Sequence, residues 1–128
     1  MNRKNVPSGS PFEKTIGFSR AVRIGNQIAI SGTAAIDEEG KNLYPDDPAR
    51  QAKRCLEIIE KAVIDAGGTR DSIIRTRIYM KDINQWGEVA KVHGEYFSDI
   101  RPACTFIEVS RFINSEWLVE IEADAVVV

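Results

Sequence analysis

The sequence predicts an α+β fold: one mixed β-sheet with two helices packed on one face, in the order ββαβαββ. Three observations carry it. Apolar residues recur at helical spacing in two stretches, near 48–66 and 85–98. Shorter stretches alternate in the manner of strands: two before the first helix, one between the helices and two after the second. No internal repeat, linker or low-complexity tract interrupts them, so the 128 residues read as a single domain, 1–128.

The elements follow in order. Residues 1–18 read as irregular, with turn chemistry in Pro7-Ser8-Gly9-Ser10-Pro11. Ser19–Ile24 and Gln27–Thr33 read as strands joined by the two-residue hairpin signal Gly25-Asn26. A polar loop covers 37–47. Asp47 then suits an N-cap and Pro48 the first helical position. Ala52, Cys55, Leu56, Ile59, Val63 and Ala66 form one apolar stripe, and Gly67-Gly68 stops the helix. In the strand Ile73–Met80, Ile74, Thr76, Ile78 and Met80 alternate with Arg75, Arg77 and Tyr79. The second helix, about Gln85 to Ser98, puts Trp86, Val89, Ala90, His93, Tyr96 and Phe97 on one face. Strands at about Ala103–Arg111 and Leu118–Val127 close the chain, with a turn at Ile113-Asn114-Ser115-Glu116.

Composition removes several function classes. The net charge is −2 and the pI about 5.5, which argues against a protein held to nucleic acid by general electrostatics. No apolar run approaches the roughly 20 residues that span a bilayer, and no apolar run follows the charged N-terminus as in a signal peptide, so a cytoplasmic protein is expected. Two cysteines, Cys55 and Cys104, and one histidine, His93, are too few for a Cys/His zinc site, so no metal is expected.

The second sheet face needs an explanation. In the last strand Glu120, Glu122 and Asp124 oppose the apolar Val119, Ile121, Ala123, Ala125 and Val127. Together with Arg75 and Arg77 they make a face neither wholly wet nor dry. It reads either as a solvated face with weak cross-strand ion pairs or as a subunit contact.

Several segments carry a resemblance. Phe18-Ser19-Arg20-Ala21-Val22-Arg23-Ile24-Gly25-Asn26 with Ile30-Ser31-Gly32 resembles the opening hairpin of the Rid (YjgF-like) family. Arg77-Ile78-Tyr79-Met80-Lys81-Asp82 resembles its third strand. Arg101-Pro102-Ala103, Val109 and Leu118–Val126 resemble its closing signature, so the likeness spans about residues 16–127. The resemblance implies a homotrimer whose sheets close a central barrel, with small-molecule clefts between subunits. It implies hydrolysis of reactive 2-imino or enamine acids to 2-keto acids and ammonia, without a cofactor.

The site residues carry over unevenly. The family's acid falls on Glu120, expected to hold and polarise the attacking water. Its Ser-Gly pair falls on Ser31 and Gly32, and its aromatic, usually tyrosine, on Phe18. Its carboxylate-binding arginine falls on Cys104, which marks a divergent subgroup. An arginine fork makes two parallel charge-assisted bonds to a carboxylate; a neutral thiol supplies neither charge nor fork. The expectation is therefore a Rid-like protein that binds or hydrolyses a small enamine or imine metabolite. The alternatives are a genuine 2-iminobutanoate/2-iminopropanoate deaminase and a non-catalytic regulatory protein. Each candidate has a structural reading beside it. Cys104 fits a small pocket-lining side chain better than a reactive thiol, which needs a nearby cation. Its expected nearness to Glu120 would raise its pKa. Cys55 fits the core, His93 a core or interface position, and Glu120 an ion pair with Arg75 or Arg77.

Overall fold

A computed structural model describes residues 2–128. Strands β1 (Arg3–Val6), β2 (Ala21–Ile24) and β3 (Gln27–Thr33) precede helix α1 (Pro48–Asp65). Strand β4 (Ile73–Met80), helix α2 (Trp86–Phe97) and strands β5 (Ala103–Glu108) and β6 (Val119–Val126) follow. The strands form one six-stranded sheet in the order β1-β2-β3-β6-β4-β5. Neighbours are antiparallel except β4 and β5, which α2 connects as a parallel crossover.

The α+β architecture agrees with the expected one, with one strand added. Arg3–Val6, expected to be irregular, pairs with β2 from Arg3↔Ile24 to Val6↔Ala21. Only Val6 of its four residues is buried, so its sequence carries no alternation to betray it. Residues 13–17, also expected to be irregular, form a single π-helical turn. The strands expected over 19–24, 103–111 and 118–127 are each shorter at their ends.

Helix α1 begins as its sequence requires: the Asp47 side chain accepts from the Arg50 N–H at 3.0 Å, and Pro48 opens the first turn. The stripe from Ala52 to Ala66 is buried against the sheet, and Ala62 and Gln51 join it. Gln51 is fully buried because all its polar capacity is used. Its amide donates to the carbonyls of Leu43 (3.3 Å), Tyr44 (3.0 Å) and Glu116 (2.9 Å), and its Oε1 accepts from Leu118 N at 2.8 Å. One side chain thus ties the loop before α1 to the turn before β6.

Helix α2 buries Val89 and Phe97. Tyr96 and Arg70 lock the helices together: Arg70 grips Glu60 of α1 through two nitrogens (3.1 and 3.0 Å), and its guanidinium lies 4.0 Å from the Tyr96 ring centre. Trp86, expected on the packed face, is 53% exposed and meets the Phe106 ring edge-on, at 5.8 Å.

The alternation expected in β4 fails at one residue. Ile73 opposes Ala125 and is buried; Arg75 opposes Asp124; Ile74 between them has no partner on β6 and is exposed. This extra residue is a β-bulge, which moves Ile74 off the helix side while leaving Thr76, Ile78 and Met80 on it. Strand β6 keeps strict alternation: Val119, Ile121, Ala123 and Ala125 are buried under the helices, and Glu120, Glu122 and Asp124 face the other way, half-buried.

Candidate functional site

Glu120 stands where β3 and β6 part. Their antiparallel pairing runs from Gln27↔Val126 to Ile30↔Ala123, then shifts before Thr33↔Ile121. The shift bulges Ser31-Gly32 toward Glu120. A Cβ on Gly32 would lie 3.3 Å from Glu120 Oε1, so glycine there leaves the carboxylate its room. Burial raises the Glu120 pKa; the Arg20 charge opposes the rise and the Glu122 charge adds to it. Among the described residues no donor or cation bonds to this carboxylate. It is half-buried, weakly acidic for a glutamate and unengaged, as a group that accepts a proton from water needs to be.

The expected ion pair of Glu120 with Arg75 or Arg77 does not form. Arg77 reaches Asp124 at 3.1 Å and Glu122 at 3.6 Å, and Arg75 reaches Asp124 at 3.8 Å. Tyr79 donates to Glu122 at 2.6 Å. The ladder on this face is closed among these five side chains, and the nearest cationic influence on Glu120 is Arg20. Arg20 donates through Nη1 to Gly32 O (3.0 Å) and Thr33 Oγ1 (2.9 Å), gripping the bulge that lies beside Glu120. Sequence reasoning counted Arg20 only as a hairpin residue. The one signal available was a charge at a position that leads into a buried strand.

Phe18 and Ser31 line a shallow groove on the same side as Lys14, Val22 and Ala29. The Ser31 hydroxyl donates to Ser19 O at 2.6 Å, which fixes the hairpin and occupies its proton. Phe18 leaves the π-helical turn in extended conformation, its N–H donating to Glu13 O.

Cys104 does not join them. In the parallel pairing Cys104 sits beside Thr76, which itself opposes Ala123. It therefore points to the helix side of the sheet, while Glu120, opposite Tyr79, points away from it. Within one chain the two cannot share a cleft, and the expected neighbourhood of Cys104 with Glu120 is absent. Desolvation raises the Cys104 thiol, and a hydrogen bond from Thr76 opposes the rise. Thr76 Oγ1 also meets His93 Nε2 at 2.8 Å. Burial lowers the His93 pKa, which favours the neutral ring. Cys55 is in the core, as its stripe position requires, with its pKa raised by burial. Among the described residues no group of His, Cys, Asp and Glu is arranged to hold a metal, and no helix is long and apolar enough to cross a membrane.

Comparison with known proteins places this geometry in company. Residues 10–127 match the family model described as Endoribonuclease L-PSP. A RutC family protein of Pyrococcus abyssi is 34% identical over 113 residues, covering 88% of each chain. A crystal structure of a YjgF/YER057c/UK114 family member from Mycobacterium tuberculosis superposes with a TM-score of 0.89 at 44% identity, over 98% of this chain and 100% of that one. A Rid-family protein from Yersinia pestis gives 0.85 at 28% identity, over 98% and 100%.

Proposed function

Because this chain belongs to the Endoribonuclease L-PSP family, the YjgF, RutC or Rid group, we propose that it binds or hydrolyses a small reactive enamine or imine metabolite in a cleft between subunits. The observation that carries the reading is Glu120: an unengaged, half-buried carboxylate beside a glycine that keeps space open in front of it. In the proposed step water attacks the imine carbon while Glu120 takes a proton from it. The C–O bond forms, the C=N electron pair moves to nitrogen, and nitrogen is protonated. The carbinolamine then breaks its C–N bond: its hydroxyl proton passes by way of Glu120 to the leaving nitrogen, so that ammonia departs, a carbonyl remains and Glu120 is returned to its starting state. An enamine enters the same path once protonation at carbon has made it an imine. The step asks nothing of a cofactor.

Cys104 shapes the ligand class. Without a guanidinium at this position a substrate carboxylate loses two charge-assisted bonds, each worth roughly 1.5–3 kcal/mol. The proposed ligand is therefore poorer in carboxylate than a 2-imino acid. A second reading, deamination of 2-iminobutanoate or 2-iminopropanoate, is favoured by Arg20, whose charge acts on Glu120. RNA cleavage has less support: the net charge is −2, and the single histidine is engaged with Thr76 on the far side of the sheet from Glu120.

The cleft in this reading is made by more than one copy, arranged as a homotrimer around a barrel. Two features support it. Glu120 and Cys104 lie on opposite faces of one sheet, so only separate copies could bring them to one ligand. Strand β5 pairs only with β4, and Ile74 (52%) and Ile107 (45%) stand exposed.

The test is ammonia or keto-acid release from freshly generated 2-iminobutanoate, comparing the unmodified protein with Cys104→Arg and Glu120→Ala. Gain of activity in Cys104→Arg is the expected result: the cleft is that of the family, retuned for another ligand. Activity in the unmodified protein that Glu120→Ala removes would establish the second reading. Inactivity of all three would sink the imine chemistry and leave a binding protein.

A further inference from the structure

A second cavity, whose lining does not include Glu120, lies between α1 and the segment that follows β1. It encloses about 210 Å³, and Arg20 forms part of its wall. We propose that it binds a small α-amino acid, with the carboxylate on Arg20 and the ammonium group at the acidic rim.

Arg20 is the first reason. Its hydrogen bonds all leave from Nη1, to Gly32 O, Thr33 Oγ1 and, at 3.5 Å, Ser31 O. Among the described residues Nε and Nη2 meet no acceptor, and no carboxylate forms an ion pair with this guanidinium. Desolvation is the largest influence on it and lowers its pKa, so the charge is held at a cost that an anion would offset. Nε and one Nη of a guanidinium are the pair that clasps a carboxylate with two parallel bonds. The other cations of the cavity are engaged: Arg54 with Ile36 O (2.8 Å) and Glu57 (3.8 Å), Lys61 with Asp65 (2.8 Å). Among the described residues Arg20 alone of the three has no carboxylate within ion-pair distance, although the Glu120 charge acts on it.

The rim is the second reason. Asp37 and Glu38 border the cavity. Asp37 Oδ1 is occupied by the N–H groups of Glu39 and Lys41. Glu38 is exposed and, among the described residues, has no partner. A free carboxylate at the mouth repels a simple anion and attracts an ammonium group. Cation within and acid at the rim match a zwitterion rather than a monocarboxylate. Val6, Ile36, Ile58 and Ala62 supply apolar wall for a short side chain.

The test titrates ¹⁵N-labelled protein with L-alanine, propanoate and propylamine, following the amides of Ser8, Ala34 and Ile36. Alanine is expected to give saturable shifts and propanoate to bind about tenfold more weakly, with propylamine inert. Arg20→Gln should weaken alanine binding by about tenfold or more, the loss of one charged hydrogen bond or two. Glu38→Gln should bring alanine down to the level of propanoate. Because Arg20 also grips Gly32 and Thr33, its variant counts only if its spectrum is that of a folded protein; if it is not, Glu38→Gln decides alone, since that side chain supports nothing. Absent shifts with alanine, an undiminished response in folded Arg20→Gln, or equal affinity for alanine and propanoate would overturn the proposal. None of these readouts involves turnover, so they stand or fall apart from the chemistry proposed at Glu120.

Discussion

Glu120 carries opposite consequences for reaction and for stability. Its pKa is raised by burial, so the folded state holds a proton that the unfolded chain has already released. From the ordinary carboxylate pKa up through the raised one, stability falls as pH rises, so ionising Glu120 weakens the fold. Glu120→Gln keeps the shape and removes the charge. It is expected to raise the thermal midpoint at pH 7 and to narrow the gap to wild type as pH falls below the carboxylate range. Scanning calorimetry at pH 7 and pH 4 checks this; an unchanged or lowered midpoint at pH 7 would contradict it. The same variant should lose roughly 10²–10⁴-fold of any hydrolytic rate. Loss of rate with gain of stability separates a group strained for chemistry from one serving the fold.

At the scale of elements, Gln51 is the joint that matters most. Gln51→Leu keeps the volume but strands three carbonyls and the Leu118 N–H. About 3 kcal/mol of stability is expected to go, measurable by urea denaturation with an unchanged slope. A loss under ~1 kcal/mol would mean that water or the loop itself replaces those bonds. Helix α1 shows how far sequence reasoning reaches: Asp47, Pro48 and the stripe to Ala66 specify cap, start and buried face from local pattern alone. Its limits lie where partners decide. The four residues of β1 are a strand only because β2 offers them an edge. Ile74 reads as an inward residue until the bulge against β6 adds one to the count. Glu120 and Gly32 were legible through the family likeness, but the grip of Arg20 on Gly32 reaches across the hairpin from a side chain, and no periodicity announces it. Cys104 was legible as an odd residue and not as one facing away from Glu120, since its side is fixed by pairing with Thr76.

For the whole molecule, the ionic ladder of Arg75, Arg77, Glu122 and Asp124 is the surface on which assembly would depend. If three copies close a barrel on this face, Arg77→Glu places three acids together and should drive the protein from three times the 14.3 kDa chain mass toward the single chain. Analytical ultracentrifugation distinguishes the two; a chain already monomeric before the change would remove the barrel from the account. The sheet order has a consequence for synthesis. Strand β6, the last in sequence, lies between β3 and β4 and is their sole bridge. Until residues 119–126 leave the ribosome, a hairpin half and a crossover half wait side by side with their inner edges bare. The sheet therefore cannot close before β6 is made, and the two halves are exposed to aggregation while they wait. A stop codon a few residues into β6 would leave two unsatisfied half-sheets, whereas trimming β1 would only narrow the sheet at its rim.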